Sequence, residues 1–491
     1  MINLVVAASC ASLPSLATVI ERFSRLGSLT WLAQETSPVP PSPANVPVVA
    51  GIGELQGSGR LTLLIAPPDE QIADSNEARR IMRVFERHSP AWRNATRAVI
   101  VDDLSQLELL STLSDYPGMS RLLACRDWTA EDFRGAVLSR YASALDALRT
   151  TRRAAVFATQ RLGERVCSGL NSSGITVAAF LDNNESKHGT CIDGIPVLPL
   201  SALTDKDLPI VIATTRFTSS ITRQLEDEGF HHVLPYSVMS LVDAERYPDE
   251  IPYIGIQQDF AEHAANYLGL FLSLSDDKSR RVLDGLIRYR LDYDSRYAVS
   301  AADEYARQYF DADLIRFSGE DVFADLGGYD GDTVEKFIQF SSGSYAKIYL
   351  FEPDSNLLKR ATERLKSNKS IEFIEAGAYS KDGELRFATT GRTNGSISDT
   401  GELVIPVRKL DSILTGVPTL IKMDIEGAET DALHGAANLL RTARPKLAIA
   451  AYHFAPDLWR LADVVREINP AYRFYLRHYS ETGLESVIYA I

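Results

Sequence analysis

The sequence predicts a multidomain α/β protein whose C-terminal part is a Rossmann-like parallel sheet. Three observations carry this. The stretch Val322–Thr333, VFADLGGYDGDT, reads as a buried strand, a glycine loop and the start of a helix. Short apolar runs alternate with helical patterns through residues 151–242 and 320–491, which is the rhythm of βαβ units and parallel sheets. The 491 residues also correspond to about three domains at roughly 150 residues each.

Composition narrows the function classes. Hydrophobic residues make up 45% of the chain and charged residues 24%, as in an ordinary soluble globular protein. The formal net charge is −14 and no Lys/Arg-rich run occurs, so no nucleic-acid partner is expected. Cys10, Cys125, Cys167 and Cys191 are far apart and form no CxxC motif. They read as reduced thiols of a cytoplasmic protein. No apolar run reaches the ~18 residues of a membrane span. The apolar start MINLVVAASCASLPSLATVI lacks a positive n-region, so a first strand (Ile2–Ala8) and a helix are expected there rather than a leader.

Residues 1–150 read as a first α/β domain of unassigned role. Its strand-like runs are Asn3–Ala8, Leu61–Ile65 and Arg97–Val101, with a helical pattern at Glu77–Glu86 and a proline-rich loop at Thr36–Pro47. Asp102-Asp103 reads as an exposed turn. Helix Thr129–Arg149 leads out of the domain.

Residues 151–242 read as a small Rossmann-like domain, with strands at Ala154–Ala158, Val177–Leu181, Pro209–Ala213 and Val233–Pro235. It resembles the Rossmann-like domain of nucleotide-sugar enzymes. Where such domains carry G-x-G-x-x-G, this chain has Ala158-Thr159-Gln160-Arg161-Leu162-Gly163. Only the last glycine remains, and bulky side chains obstruct close approach to a pyrophosphate. Asp182-Asn183-Asn184 stands where a ribose-binding acid would stand. A docking or scaffold role is the main expectation here. Residues 243–319 follow as a helical connector, acidic and rich in tyrosine.

Residues 320–491 carry the chemistry. Gly327, Gly328 and Gly331 crowd the loop after the first strand, and ligands of open α/β sheets bind beyond the carboxyl ends of strands. The second strand, Lys347–Phe351, ends at Glu352, 25 residues after Gly327. That is close to the ~20-residue spacing at which an acid meets ribose hydroxyls. After the third strand, Glu372–Glu375, small residues around Ala378 leave room for an adenine ring. Short added strands are expected at Glu384–Phe387 and Glu402–Val407. The fourth strand, Thr419–Met423, ends in Asp424-Ile425-Glu426. These acids could position a substrate, bind a cation or touch a cofactor amino group. The fifth strand, Lys446–Ala451, ends in Tyr452-His453, and Tyr472–Arg477 and Ser486–Ala490 close the chain as a hairpin.

Five βα steps and a terminal hairpin resemble the seven-stranded class I S-adenosylmethionine-dependent methyltransferase fold. The motifs ADLGGYDGDT, YLFEPD, IKMDIEGAE, AAYHFAPDLWRL and YRFYLRHYS, in this order, resemble the FkbM family of methyltransferases. The resemblance implies S-adenosyl-L-methionine as cofactor and a hydroxyl of a sugar or other small molecule or glycan, such as a cell-surface polysaccharide, as acceptor. By the same resemblance Asp325, Gly327, Gly328, Tyr329, Asp330 and Gly331 would hold the methionine part of the cofactor. Glu352 would hold its ribose and Ala378 would lie near its adenine. Asp424 would face its amino-acid end or the acceptor.

An alcohol is a weak nucleophile, so a base that titrates near neutrality helps, and histidine suits this. His453 is the expected base, Asp424 or Glu426 could serve instead, and His478 is a weaker choice that reads as structural. Asp424 and Glu426 alone are too few oxygen ligands for a cation, so no metal is assigned. The alternatives are a scaffold or binding protein of a glycan-assembly system and an N-methyltransferase on an amino sugar. A homo-oligomer is left open.

Overall fold

The computed structural model describes residues 2–7, 29–32, 48–49, 61–65, 98–101, 109, 112–250, 253–388, 396–397 and 403–491. The chain forms two compact units, residues 1–135 with 256–273, and residues 136–255 with 274–491.

The first unit contains an all-parallel sheet of β1 (Ile2–Ala7), β2 (Leu29–Leu32), β3 (Val48–Val49), β4 (Leu61–Ile65) and β5 (Ala98–Val101), in the order β3-β2-β1-β4-β5. The sequence places β1, β4 and β5 to within a residue. It does not announce β2 and β3, which are short. The loop Thr36–Pro47, the helix Glu77–Glu86 and Asp102-Asp103 lie outside the described residues. Helix Ile256–Ser273 belongs to this unit, where Phe271 meets Tyr116 edge-on with ring centroids 4.8 Å apart.

The second unit holds two large sheets. The upstream one has six strands, β6 (Arg153–Phe157), β7 (Thr176–Leu181), β8 (Cys191–Ile192), β9 (Ile195–Leu198), β10 (Ile210–Ile212) and β11 (Val233–Pro235), in the order β11-β10-β6-β7-β9-β8. All neighbours are parallel except the β8–β9 hairpin. Val156 and Ile210 are fully buried, as the strands of a doubly covered parallel sheet must be. Ala158, expected inside the first strand of this sheet, instead takes φ +88° and turns the chain.

The downstream sheet has seven strands, β12 (Val322–Leu326), β13 (Lys347–Phe351), β14 (Ile371–Ile374), β19 (Leu420–Met423), β20 (Lys446–Ala450), β21 (Phe474–His478) and β22 (Ser486–Ala490). The intervening β15 (Gly377–Ala378), β16 (Gly383–Ala388), β17 (Ser396–Ile397) and β18 (Leu403–Arg408) form a separate small sheet in the order β15-β18-β16-β17. The seven-stranded order is β14-β13-β12-β19-β20-β22-β21, parallel through β20 and antiparallel in the last two strands. β12 comes first in the chain yet lies mid-sheet between β13 and β19. The chain therefore reverses its direction of winding there and leaves a crevice at the carboxyl ends of the strands.

One face of β12 is held by aromatic packing. Phe323 stacks on Phe337 of helix Asp332–Phe340, with centroids 4.5 Å apart and planes 20° apart, and Phe310 meets both rings. Truncating such a buried ring costs about 3–5 kcal/mol. Arg477, buried in β21, ties the sheet to the helical segment before it. Its guanidinium reaches Asp276 at 2.7 Å, Ser279 at 2.8 Å and Asp311 at 3.3 Å. The backbone N–H of Asp303 donates to the His478 carbonyl at 2.7 Å. These contacts fix the chain around residues 303–311 across the sheet end and deliver Tyr309 to the crevice. Among the described residues no helix is long and apolar enough to cross a membrane.

Candidate active site

The glycine loop after β12 is pinned before any ligand enters. The N–H groups of Gly327 and Gly328 both donate to the Phe351 carbonyl, at 3.0 and 2.8 Å. Gly327 has φ +79°, and a Cβ there would lie 1.9 Å from the Asp424 carbonyl oxygen. Two strand-end loops therefore meet backbone to backbone, and only glycine allows this. At Gly328 a Cβ would strike Leu350 at 2.4 Å.

Asp325 lies opposite Lys422 in the parallel register of β12 and β19. Both side chains are buried, and Lys422 Nζ is 3.0 Å from Asp325 Oδ1. The same ammonium donates to the Gly327 carbonyl at 2.7 Å. Burial pushes the Asp325 carboxyl up to about 6, with Lys422 pulling the other way, so the pair is charged at neutral pH. Asp325 shapes the loop through Lys422 and is committed to it.

Asp330 is likewise committed, to Arg360 at 2.7 Å and Arg364 at 3.0 Å on helix Ser355–Leu365. Glu352 caps β13. Its two carboxylate oxygens accept from the N–H groups of Tyr329 and Asp354, each at 2.9 Å. Each oxygen retains a lone pair for a further donor. Burial raises the Glu352 carboxyl above its usual range. Tyr329 is 54% exposed and marks the rim. Ala378 is buried in β15, where it pairs with Arg408.

Across the crevice stands a cluster built from β19 and β20. Asp424 accepts from the Tyr309 hydroxyl at 2.8 Å and the Tyr452 hydroxyl at 3.3 Å. His453 Nε2 is 3.2 Å from Asp424 Oδ1 and 3.7 Å from Glu426 Oε2, and its Nδ1 is 3.1 Å from Glu429 Oε1. The His453 side chain is only 3% exposed, whereas that of Asp424 is 24% exposed. Burial opposes charge on both. For Asp424, the His453 ring, Lys422 and Tyr309 outweigh it and hold the carboxyl well below the usual range. For His453, Asp424 and Glu429 outweigh it and push the ring well above its ordinary value.

The structure thus gathers Asp325, Gly327, Gly328, Tyr329, Asp330, Gly331, Glu352, Asp424 and His453 at the carboxyl ends of four neighbouring strands. Ala378 belongs to the separate small sheet. His478 is fully buried and pairs with Ser486 at 2.9 Å. Sequence reasoning missed Lys422, Glu429, Tyr309 and Tyr452. A lysine inside the apolar run LIKM is a readable signal of a buried charge, whereas Tyr309 stands 115 residues from Asp424 and gave none. At the upstream sheet, Asp182 is already held by Lys187 and Thr159, each at 2.7 Å.

Residues 325–479 match the model of the methyltransferase FkbM domain. An FkbM methyltransferase of known structure from Methylobacillus flagellatus aligns at 22% identity and TM-score 0.60, over 74% of this chain and 98% of that one. At this identity the likeness is one of fold. It extends upstream of the matched domain, since 155 of 491 residues is less than half of that share. Fibrillarin from Aeropyrum pernix with bound S-adenosyl-L-methionine aligns at 13% identity and TM-score 0.26, over 36% of this chain and 67% of that one. A putative methyltransferase from Streptococcus mutans in complex with SAH aligns at 14% identity and TM-score 0.23, over 36% and 91%. A search of the curated proteins found no match.

Proposed function

We propose that this chain, a methyltransferase carrying an FkbM domain over residues 325–479, transfers a methyl group from S-adenosyl-L-methionine to a hydroxyl of a sugar or glycan. The observation that carries the reading is the pairing of two built features across one crevice. A pinned glycine loop with Glu352 stands on one side, and Asp424 with its tyrosines stands on the other.

In this reading Glu352 accepts hydrogen bonds from the ribose through its remaining lone pairs. The Gly327–Gly331 loop borders the methionine part. Asp325 and Asp330 keep that loop in shape from behind. Ala378 lies on the adenine side. When bound, the cofactor supplies an activated methyl group on sulfur. What the protein adds is chiefly alignment of the acceptor oxygen with the S–CH3 bond, which can be worth ~7–11 kcal/mol.

Asp424 is the group that meets the acceptor hydroxyl. As the C–O bond forms and the C–S bond breaks, the hydroxyl becomes a strongly acidic oxonium, so even a carboxylate of low pKa takes its proton. His453 sits behind Asp424 as a positioning residue, between it and Glu429. Tyr309 and Tyr452 fix the carboxylate by donating to it. The sugar preference is supported by Tyr329 and Phe454, 54% and 47% exposed on loops of the site. Such rings offer flat apolar faces to a pyranose.

The test is incubation with isotopically labelled S-adenosylmethionine and a panel of neutral sugars, amino sugars and oligosaccharides, with products read by mass spectrometry. O-methylated sugar supports the reading. Label confined to amino-sugar nitrogen replaces it with N-methylation. Cofactor binding with no methylated product in any arm leaves the acceptor outside the sugar class.

A further inference from the structure

We propose that the Asp424–His453 cluster is a divalent-cation site, with the cation seated against His453 Nε2 and held by Asp424 and Glu426, and with Glu429 orienting the ring at Nδ1. Its catalytic role rests on the methyl-transfer reading; its existence as a binding site does not.

Asp424, Glu429 and His453 each place one ligand atom within 4.8 Å of the others, and of these Glu429 is the carboxylate behind the ring. The two faces of the ring differ. Nε2 looks toward two carboxylates, Asp424 at 3.2 Å and Glu426 at 3.7 Å, while Nδ1 looks toward Glu429 alone at 3.1 Å. Two carboxylates and a nitrogen on one side, with a buried carboxylate behind the ring, match the usual carboxylate–histidine–metal arrangement.

One further observation points to a ligand. The His453 side chain is 3% exposed, yet neither ring nitrogen makes an aligned hydrogen bond. Buried polar groups are seldom left in that condition. A mixed oxygen and nitrogen set suits Mn2+ or a neighbouring first-row cation better than Ca2+. Bound there, the cation would hold the acceptor oxygen in place, the proton still leaving through Asp424.

The test is titration of the full chain with Mn2+, followed by loss of the free-ion electron paramagnetic resonance signal. It is run on the wild type, His453→Ala and Glu426→Gln, with calorimetry of S-adenosylhomocysteine on the same samples. One Mn2+ per chain is expected, weakened roughly ten- to a hundredfold by each substitution. No binding at millimolar Mn2+ overturns the proposal and leaves an imidazolium bridging the carboxylates. Binding unchanged in both variants overturns it too, because the ion then sits elsewhere. If His453→Ala is unfolded by circular dichroism, Glu426→Gln decides, since that side chain is 64% exposed. S-adenosylhomocysteine bound without Mn2+ sinks the cation site alone. Mn2+ bound without S-adenosylhomocysteine supports the site and sinks the methyl-transfer reading.

Discussion

Replacing Lys422 by Met is the most informative single perturbation of the cradle. Methionine keeps the apolar stem but removes the ammonium. Three contacts go with it: Asp325 Oδ1 at 3.0 Å, the Gly327 carbonyl at 2.7 Å and the Leu326 carbonyl at 3.3 Å. The Lys422 and Asp325 side chains are 3% and 0% exposed, so water cannot take its place. Breaking a buried pair from one side typically costs about 3–5 kcal/mol. Asp325 can escape part of that cost by taking up a proton. Burial already holds its carboxyl at about 6 in the wild type, and loss of the cation raises it further. A carboxyl raised in the folded state is neutral in both states below its unfolded value, so the deficit is full above the folded pKa and shrinks as pH falls. Lys422→Met should therefore lose about 4 kcal/mol at pH 7, by guanidinium denaturation, and visibly less at pH 5. Adding Asp325→Asn should restore at least half of the loss. A cost below about 1 kcal/mol, the scale of an exposed pair, would refute the reasoning. So would a deficit that does not change with pH.

Other expectations follow from the same contacts. Gly327→Ala places a methyl group 1.9 Å from the Asp424 carbonyl at φ +79°; calorimetry should show S-adenosylhomocysteine affinity lost more than stability, and unchanged affinity would remove the loop from the site. Tyr309→Phe deletes one donor to a charged carboxylate, about 1.5–3 kcal/mol. It should lower the unfolding free energy by about that amount, read by denaturant titration, and the methyl-transfer rate roughly ten- to a hundredfold. Burial holds His478 down to about 4, against an ordinary value of 6.5. A depressed histidine contributes stability above its unfolded pKa and loses it as pH falls toward its folded one. About 3 kcal/mol should therefore drain away between pH 6.5 and 4, and His478→Asn should flatten that slope if the histidine is its source.

What the sequence made legible was whatever is local in the chain. The strands of the C-terminal sheet are short apolar runs, β12, β13 and β19 closed by an acid or a glycine and β20 followed by Tyr452-His453, so these strands and their terminal residues could be named in advance. Glu352 could be found because a strand end and a spacing rule coincide. Of the second wall, Asp424 and His453 could be named in advance, but not the groups that surround them. Glu429 lies five residues beyond Asp424 in the chain, at the first position of helix Glu429–Gly435, and its approach to His453 depends on how two loops fold against each other. Tyr309 arrives from a segment fixed by Arg477 and His478, contacts that no periodicity encodes. Asp325 and Asp330 read as ligand residues because acids beside glycines look available. Lys422, Arg360 and Arg364 claim them instead, and only a structure shows whether a charge already has a partner. The same holds for Asp182, which stands where a ribose acid would stand but is held by Lys187.

The most direct test of the central claim is calorimetric titration of S-adenosyl-L-methionine into the wild type and Glu352→Ala. The account predicts saturable binding at one site per chain in the wild type. In the variant it predicts affinity reduced roughly ten- to a hundredfold, the value of hydrogen bonds to a charged carboxylate. A wild type that binds no S-adenosyl-L-methionine, or a Glu352→Ala variant that binds it equally well, would contradict the account.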